Sequence, residues 1–269
     1  MSGPRIHPLA SVDPTAEVGE GTVVAAFAVV GPGVRIGRDN EIRSHAVVQG
    51  PGTTVGDRNV LYEGSIVGCP PQDKKFHGED VRLEIGDDNL FREHFTAHRG
   101  TKTGGGITRI GSRNLFLVGS HVAHDCTVGS DVILSNHVLL AGHVLVDDRA
   151  IMNGAAAIHH FGTVGRLAYV GGLTRLVRDA PPFMVTEGHP ARVVKVNAVG
   201  MARAGVPSDR IDLVRRAFRH FFRRRHATLR EACEALDAEG LVSPEIEHLR
   251  SFLVAQASGR NGRAREAQR

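Results

Sequence analysis

The chain repeats itself every six residues. From Ile110, the residues Ile110, Phe116, Val122, Val128, Leu134, Leu140, Val146, Met152, Ile158, Val164, Val170 and Leu176 follow at a step of six, and every one is apolar. An earlier run does the same through Val12, Val18, Val24, Val30, Ile36, Ile42 and Val48, and resumes after a one-residue slip at Val55, Leu61 and Val67. An α-helix repeats at 3.6 residues and a lone strand at 2, so neither produces this pattern. A hexapeptide period predicts a parallel β-helix, in which each strand and turn form one side of a triangular prism. Three hexads close a coil, so residues 18 apart stack at about 4.8 Å, the spacing between paired strands. The aliphatic residue points inward, and the small or polar residues that follow it, such as Gly111, Gly129, Asp147 and Gly165, are expected at the bends, where a Cβ is costly. No single coil is stable alone, so the coils must stack and their ends must be covered.

Two stretches interrupt the hexads, one from Gly68 to Asp80 and one from Arg99 to Gly106. Loops ejected from a rigid scaffold often carry function. Beyond the hexads the pattern turns helical. Ser208 is expected to cap a helix with Ile211, Val214, Phe218 and Phe221 on one face. Thr228 and Glu231 read as a capping box, Gly240 suits a helix end, and Ser243 with Pro244 opens a further helix. The expected organisation is a β-helix over residues 1–190, a helical domain over 191–258 and a disordered basic tail over 259–269.

Histidine is the chemical signal. Of fifteen histidines, His121, His124, His137, His143, His159 and His160 fall within 40 residues. On the coil period, His124, Gly142 and His160 form one column, and Asp125 and His143 the next. A histidine beside an aspartate suits general-base catalysis, because the carboxylate fixes the imidazole tautomer and favours the imidazolium that forms. A glycine one coil away leaves a backbone N–H open to a developing oxyanion. Serine and cysteine nucleophile motifs are missing, and Cys126 is read as an inert interior thiol. Direct transfer assisted by histidine is therefore expected.

The run His121-Val-Ala-His-Asp-Cys-Thr-Val-Gly resembles the active-site signature of the UDP-N-acetylglucosamine O-acyltransferases, which open lipid A synthesis. The likeness extends to Leu140-Ala-Gly-His-Val, Ile158-His-His-Phe, Val170-Gly-Gly, Ala180-Pro-Pro, Gln72-Asp-Lys-Lys-Phe and His98-Arg-Gly-Thr. The resemblance implies a left-handed β-helix, a homotrimer, and transfer of a 3-hydroxyacyl chain from acyl carrier protein to the sugar 3-hydroxyl. No cofactor is implied beyond the donor's phosphopantetheine arm. It makes His124 the base, Asp125 its orienting partner and the Gly142 amide the oxyanion donor. His121, His143, His159 and His160 would bind the nucleotide sugar or acyl chain, and Gln72, Asp73 and Lys75, in the first ejected loop, would reach the sugar nucleotide or acyl group of a neighbouring subunit. Asn197 and Arg203 would contact uridine and phosphate, and Gly172 would mark the end of the acyl groove. Three positions depart from the family: His160 replaces glutamine, Val199 an acidic residue and Ala204 a second arginine. They leave open a 3-amino sugar acceptor.

Other readings are weighed against this one. A zinc hydratase of the carbonic-anhydrase type also sets histidines between coils, but its third histidine would fall at Gly165, so no metal is expected. A non-catalytic scaffold does not account for the Asp125 and Gly142 columns. The net charge of +4 is a modest basic excess, and Arg215, Arg216, Arg219, Arg223, Arg224 and Arg225 suit either an acidic carrier protein or a solvated helix face. Nucleic-acid binding lacks a motif. With no long apolar run, no apolar leader and three scattered cysteines, a cytoplasmic protein without a transmembrane segment is expected.

Overall fold

The computed structural model describes residues 3–224 and 226–268. Its hexads form short parallel strands that turn through three sheets in strict rotation, and among the described residues these hold eleven, nine and eight strands. The result is a left-handed parallel β-helix. Partners stand one coil apart: Arg5 pairs with Val23 and His121 with Leu139, each 18 residues on. The slip before Val55 widens one coil, so that Ile36 pairs with Val55. The ejected loops widen two more, and Val60 pairs with Leu90 and Leu90 with Leu115. The aliphatic column is the core, with Val24, Ile42, Leu61, Val122, Leu134, Leu140 and Val170 fully buried. Midway, Phe91, Phe95 and Phe116 pack with centroids 4.9–5.2 Å apart.

The bends differ from expectation. The residues at positive φ are mostly not glycine: Asp125, His143 and Phe161 hold φ of 61°, 64° and 62° on one edge, and Asp39, Arg58, Asp88, Arg113, Asp131 and Arg149 hold it on another. Neighbouring coils determine these bends, because each residue's backbone is hydrogen-bonded across coils, as Arg58 N–H is to Arg38 O and His143 N–H to His124 O. At Gly86 and Gly111, one position after the aliphatic residue, glycine is required for a different reason. A Cβ on Gly111 would stand 2.6 Å from Gly129 O, and one on Gly86 would stand 2.8 Å from Gly111 O. The close approach of coils, not the bend angle, selects glycine there.

The first sheet ends in a hairpin in which Met184–Glu187 pairs antiparallel with Arg192–Val196. The return strand belongs to the prism, so the helical part starts a little later than residue 191. It comprises α1 (Ala198–Arg203), α2 (Ser208–Phe222), α3 (Leu229–Ala238) and α4 (Pro244–Ser258). Helix α1 was not anticipated. Ser208 is not the cap of α2: Pro207 holds that position and no side chain caps it. Thr228 and Ser243 do cap, accepting from Glu231 N and Ile246 N, and Gly240 ends α3 at φ 64°. Ile211, Val214, Leu236, Ile246 and Leu249 form a second core against Phe183 and Met184. The tail is a larger correction. Residues 259–269 were expected to be disordered, but Ala264–Gln268 forms a 3-10 turn and Arg263 is only 5% exposed, and Arg269 lies outside the described residues. Its cations find backbone carbonyls of the prism, which composition does not reveal. No helix among the described residues is long and apolar enough to cross a membrane.

A ladder of buried asparagines ties the lower coils. Asn59 Oδ1 accepts from Asn89 N and Nδ2, Asn89 Oδ1 accepts from Asn114 N, and Asn89 Nδ2 donates to Gly111 O. Asn89→Ala would leave a buried N–H and a carbonyl unsatisfied at about 1–3 kcal/mol each. The expected outcome is a loss of about 3 kcal/mol in urea unfolding, and an unchanged midpoint would show that the ladder is not stabilising.

Candidate active site

The edge between the second and third sheets carries the site. Both ejected loops leave from it: residues 70–81 join Ile66–Cys69 of the second sheet to Arg82–Ile85 of the third, and residues 99–106 join Thr96–His98 to Ile107–Ile110. One coil further on, His124 and Asp125 make the same crossing, followed by Gly142 with His143 and by His160 with Phe161. The columns expected from the coil period are therefore real.

His124 and Asp125 are buried, at 8% and 4% exposed. His124 Nδ1 lies 2.7 Å from Asp125 Oδ2. The carboxylate also accepts from Thr101 N at 2.8 Å and Thr101 Oγ1 at 2.7 Å, and Asp125 N–H donates to Thr108 Oγ1 at 2.8 Å. Burial pushes the Asp125 carboxyl up, but bonds from His124 and Thr101 and the nearby His143 outweigh it and hold it below the usual carboxylate range. The aspartate is thus an ionised acceptor aimed at His124. Thr108 was missed by sequence reasoning, and Thr101 entered only as the last residue of His98-Arg-Gly-Thr, with no role attached. Both lie around an irregular loop, where the six-residue period gives no register.

The His124 ring lies directly over Gly142. A Cβ there would stand 2.6 Å from His124 Cε1 and 2.9 Å from Nε2, so no other residue fits beneath the ring. Gly142 N–H donates no hydrogen bond to the described residues. His143 meets His124 edge-on at 5.2 Å and stacks on Phe161 at 4.4 Å. His121 Nδ1 is 2.8 Å from Thr96 Oγ1. His159 is half-buried, its Nδ1 is 3.1 Å from His160 O, and His160 is exposed. Gln72 and Lys75 are exposed on the first loop, where Asp73 Oδ1 accepts from Lys75 N. Cys126 is fully buried, and burial pushes its thiol up to about 12, so it supplies no thiolate.

Three expected residues lie elsewhere. Asn197 and Arg203 line a cavity of about 600 Å³ on the first sheet, with Arg149, Tyr169 and Val199. That sheet is opposite the catalytic edge of the prism. Asn197 has a local duty as well, because its side chain caps α1 through Gly200 N and donates to Leu167 O. Gly172 sits on a third location, the edge between the first and second sheets. It is exposed, and positive φ falls on the neighbouring Leu173, not on the glycine. A bend requirement therefore does not explain it, and a Cβ would come no nearer than 3.3 Å to Gly154 O.

His124, Asp125 and His143 offer metal-ligand atoms all within 4.8 Å. An ion there would have to displace the donors already on both Asp125 oxygens. The third ligand of a hydratase-type site has no room to exist, since a Cβ on Gly165 would stand 2.6 Å from Pro182 N.

His98 supports the same cluster from below. It is 7% exposed, its Nδ1 has no partner among the described residues, and it meets His121 edge-on at 5.1 Å. Burial, with His121 and His124 nearby, lowers its pKa from 6.5 to about 4. The unfolded chain then binds a proton below pH 6.5 that the folded chain refuses until about pH 4, so stability falls as pH drops through this window. His98→Phe should flatten that fall when unfolding midpoints are followed against pH. Parallel curves for the two proteins would exclude His98 as the cause.

Comparison with known proteins agrees with this geometry. Residues 179–262 match the family model described as Udp N-acetylglucosamine O-acyltransferase, domain 2, and residues 15–50 match the bacterial transferase hexapeptide model. The chain is 43% identical over 255 residues to the acyl-[acyl-carrier-protein]–UDP-N-acetylglucosamine O-acyltransferase of Alkalilimnicola ehrlichii, covering 95% of this chain and 98% of that one. It is 37% identical over 256 residues to the enzyme of the same name from Syntrophobacter fumaroxidans, with the same coverage. A solved UDP-N-acetylglucosamine acyltransferase from Bacteroides fragilis superposes with a TM-score of 0.89 at 34% identity, over 92% of this chain and 96% of that one. With relatives of 37–43% identity matched over 95% of its length, this chain belongs to the acyl-[acyl-carrier-protein]–UDP-N-acetylglucosamine O-acyltransferase family.

Proposed function

We infer that this chain transfers a 3-hydroxyacyl group from acyl carrier protein to the 3-hydroxyl of UDP-N-acetylglucosamine, with His124 as base. The observation that carries the reading is the buried Asp125–His124 pair lying over Gly142. With Nδ1 held by Asp125, Nε2 takes the proton of the sugar hydroxyl as its oxygen attacks the thioester carbonyl. Asp125 favours the imidazolium that forms, and Gly142 N–H donates to the oxyanion. Collapse breaks the C–S bond, and the imidazolium returns its proton to the leaving phosphopantetheine thiol. Each step is a proton or acyl transfer, so no cofactor or metal is required.

Gln72, Asp73 and Lys75 hang from the same edge as His124 and would meet the acceptor of a neighbouring subunit, with His121, His143, His159 and His160 lining their own subunit's acceptor or acyl chain. The cavity at Asn197 and Arg203 suits uridine and diphosphate, arginine being matched to phosphate. It faces away from the catalytic edge of the same chain. One chain therefore cannot hold both ends of a nucleotide sugar, and a cyclic homotrimer would set the cavity of one copy beside the edge of the next. The acidic carrier protein has less free charge to meet than the arginine run suggested. Arg215 pairs with Asp212, Arg216 and Arg224 share Glu239, and Arg223 bonds Val194 O. Arg219 remains exposed, and Arg225 lies outside the described residues. Three unpaired cysteines suit the reducing cytoplasm.

His124→Ala is expected to lower turnover with acyl carrier protein thioester and UDP-N-acetylglucosamine by roughly 10² or more. Asp125→Ala should cost less, since Asp125 orients the base. Near-normal turnover of folded His124→Ala would refute the assignment, and running the 3-amino sugar in parallel identifies the acceptor. Chain length gives a separate test. The acyl chain would cross the second sheet over Leu139, which is 49% exposed, towards Gly172. Each buried methylene adds about 0.8 kcal/mol. Gly172→Met should therefore lose the longest donor selectively. Equal loss on all donors would point to the backbone instead.

A further inference from the structure

The C-terminal tail is bonded to the catalytic edge, three residues beyond where the family model stops matching. It runs beside the column that contains Asp125, His143, Phe161 and, one coil further, Asp179. Asp179 N–H donates to Gly262 O at 2.9 Å, and Asp179 Oδ2 accepts from Ala264 N at 2.8 Å. Gln256 of α4 donates to Asp179 O at 2.8 Å. The buried Arg263 donates to Val177 O and pairs with Glu266. These contacts anchor the strap at the last coil. Arg265 then reaches two coils down, where its Nη1 donates to His143 O at 2.6 Å.

That carbonyl is a sensitive place to hold. His143 follows Gly142, whose N–H is the oxyanion donor in the reading above. Its own N–H is bonded to His124 O at 3.0 Å, and its ring stands edge-on to His124 with Nε2 3.8 Å from Asp125 Oδ2. The bend at His143 is held at φ 64°, a conformation that favours glycine. A charge-assisted bond to its carbonyl fixes the peptide plane on the far side of that bend. We propose that Arg265 is a positioning residue: it clamps the Gly142–His143 bend from the C-terminal tail and so sets the oxyanion donor and the His143 ring against His124. The proposal rests on the acyl-transfer reading for its kinetic consequence, but not for its geometry.

The test uses the full chain and Arg265→Ala, Arg265→Lys, His143→Ala and the double variant of Arg265→Ala with His143→Ala. A small displacement of a catalytic group is enough to cost about tenfold or more in rate. Arg265→Ala should therefore lower kcat about tenfold, with KM for UDP-N-acetylglucosamine and the unfolding temperature unchanged. Arg265→Lys should restore most of the rate, since one N–H suffices. In the His143→Ala background, removal of Arg265 should cost less than it does alone, because the two act on one bend. Unchanged kcat, full additivity, or a loss that tracks a fall in unfolding temperature without rescue by lysine would overturn the proposal. Labelled-histidine spectra separate this from failure of the functional reading. If the chain does not transfer acyl groups, the His143 ring resonance must still move in Arg265→Ala, and an unmoved resonance overturns the clamp by itself.

Discussion

Lateral backbone pairing from each coil to the next, 18 residues on except where a coil is widened, governs this molecule. A strand two residues long has no stability alone, and each here is held only by the coils above and below. Any residue's neighbours are therefore decided by counting. His124 lies over Gly142 because Val122 pairs with Leu140, and the same pairing brings a second histidine, His143, to the next position. Burial then does the chemical work. Because the Asp125 side chain is wholly enclosed, its charge must be met by Thr101 and His124, and meeting it fixes the tautomer and direction of the base. The proposed catalytic pair thus follows from satisfying one buried carboxylate within a rigid stack.

The parts that could be read from sequence are those obeying this count. The apolar hexads, the three sheets, the column of His124, Gly142 and His160, and the caps at Thr228 and Ser243 all follow from short-range regularity. What escaped obeys no period. Thr101 acts through a loop whose path depends on Gly104 lying close to the Asp125 carboxylate, where a Cβ would meet Asp125 Cγ at 2.2 Å. Helix α1 is too short for a periodic signal, and its cap Asn197 was noticed only for a ligand role. Ser208 begins α2 as its first helical residue, one place inside the Pro207 cap position, and no side chain caps that end. The tail was misjudged on composition: a run rich in arginine and glycine suggests solvation, yet backbone carbonyls at a prism edge are good acceptors for guanidinium groups.

Residues of the proposed substrate site divide among different faces, and this division carries an argument about assembly. In the proposed reaction, proton transfer would belong to the edge of His124, the nucleotide to the cavity on the opposite sheet and the end of the acyl groove to the edge of Gly172. A triangular prism cannot fold its faces together, so one chain offers the parts of a site without their meeting. Rotation about a shared axis lets identical parts face one another, which is why a rigid scaffold of this shape suits a reaction with a long, two-headed acceptor and a long donor arm.

Both insertions leave the prism from the catalytic edge, and the coils rejoin in register after each: Leu61 pairs with Phe91 and Phe91 with Phe116. An edge that takes extra chain with only a local irregularity between Val67 and Cys69 separates two kinds of change. Altering what hangs from the edge remodels the surroundings of His124, while the aliphatic column and the strand pairing behind it are left in place. Innovation in substrate and retention of fold are mechanically uncoupled there. The same cannot be said of the other edges, where Asp/Arg stacks and close-packed glycines leave no such slack.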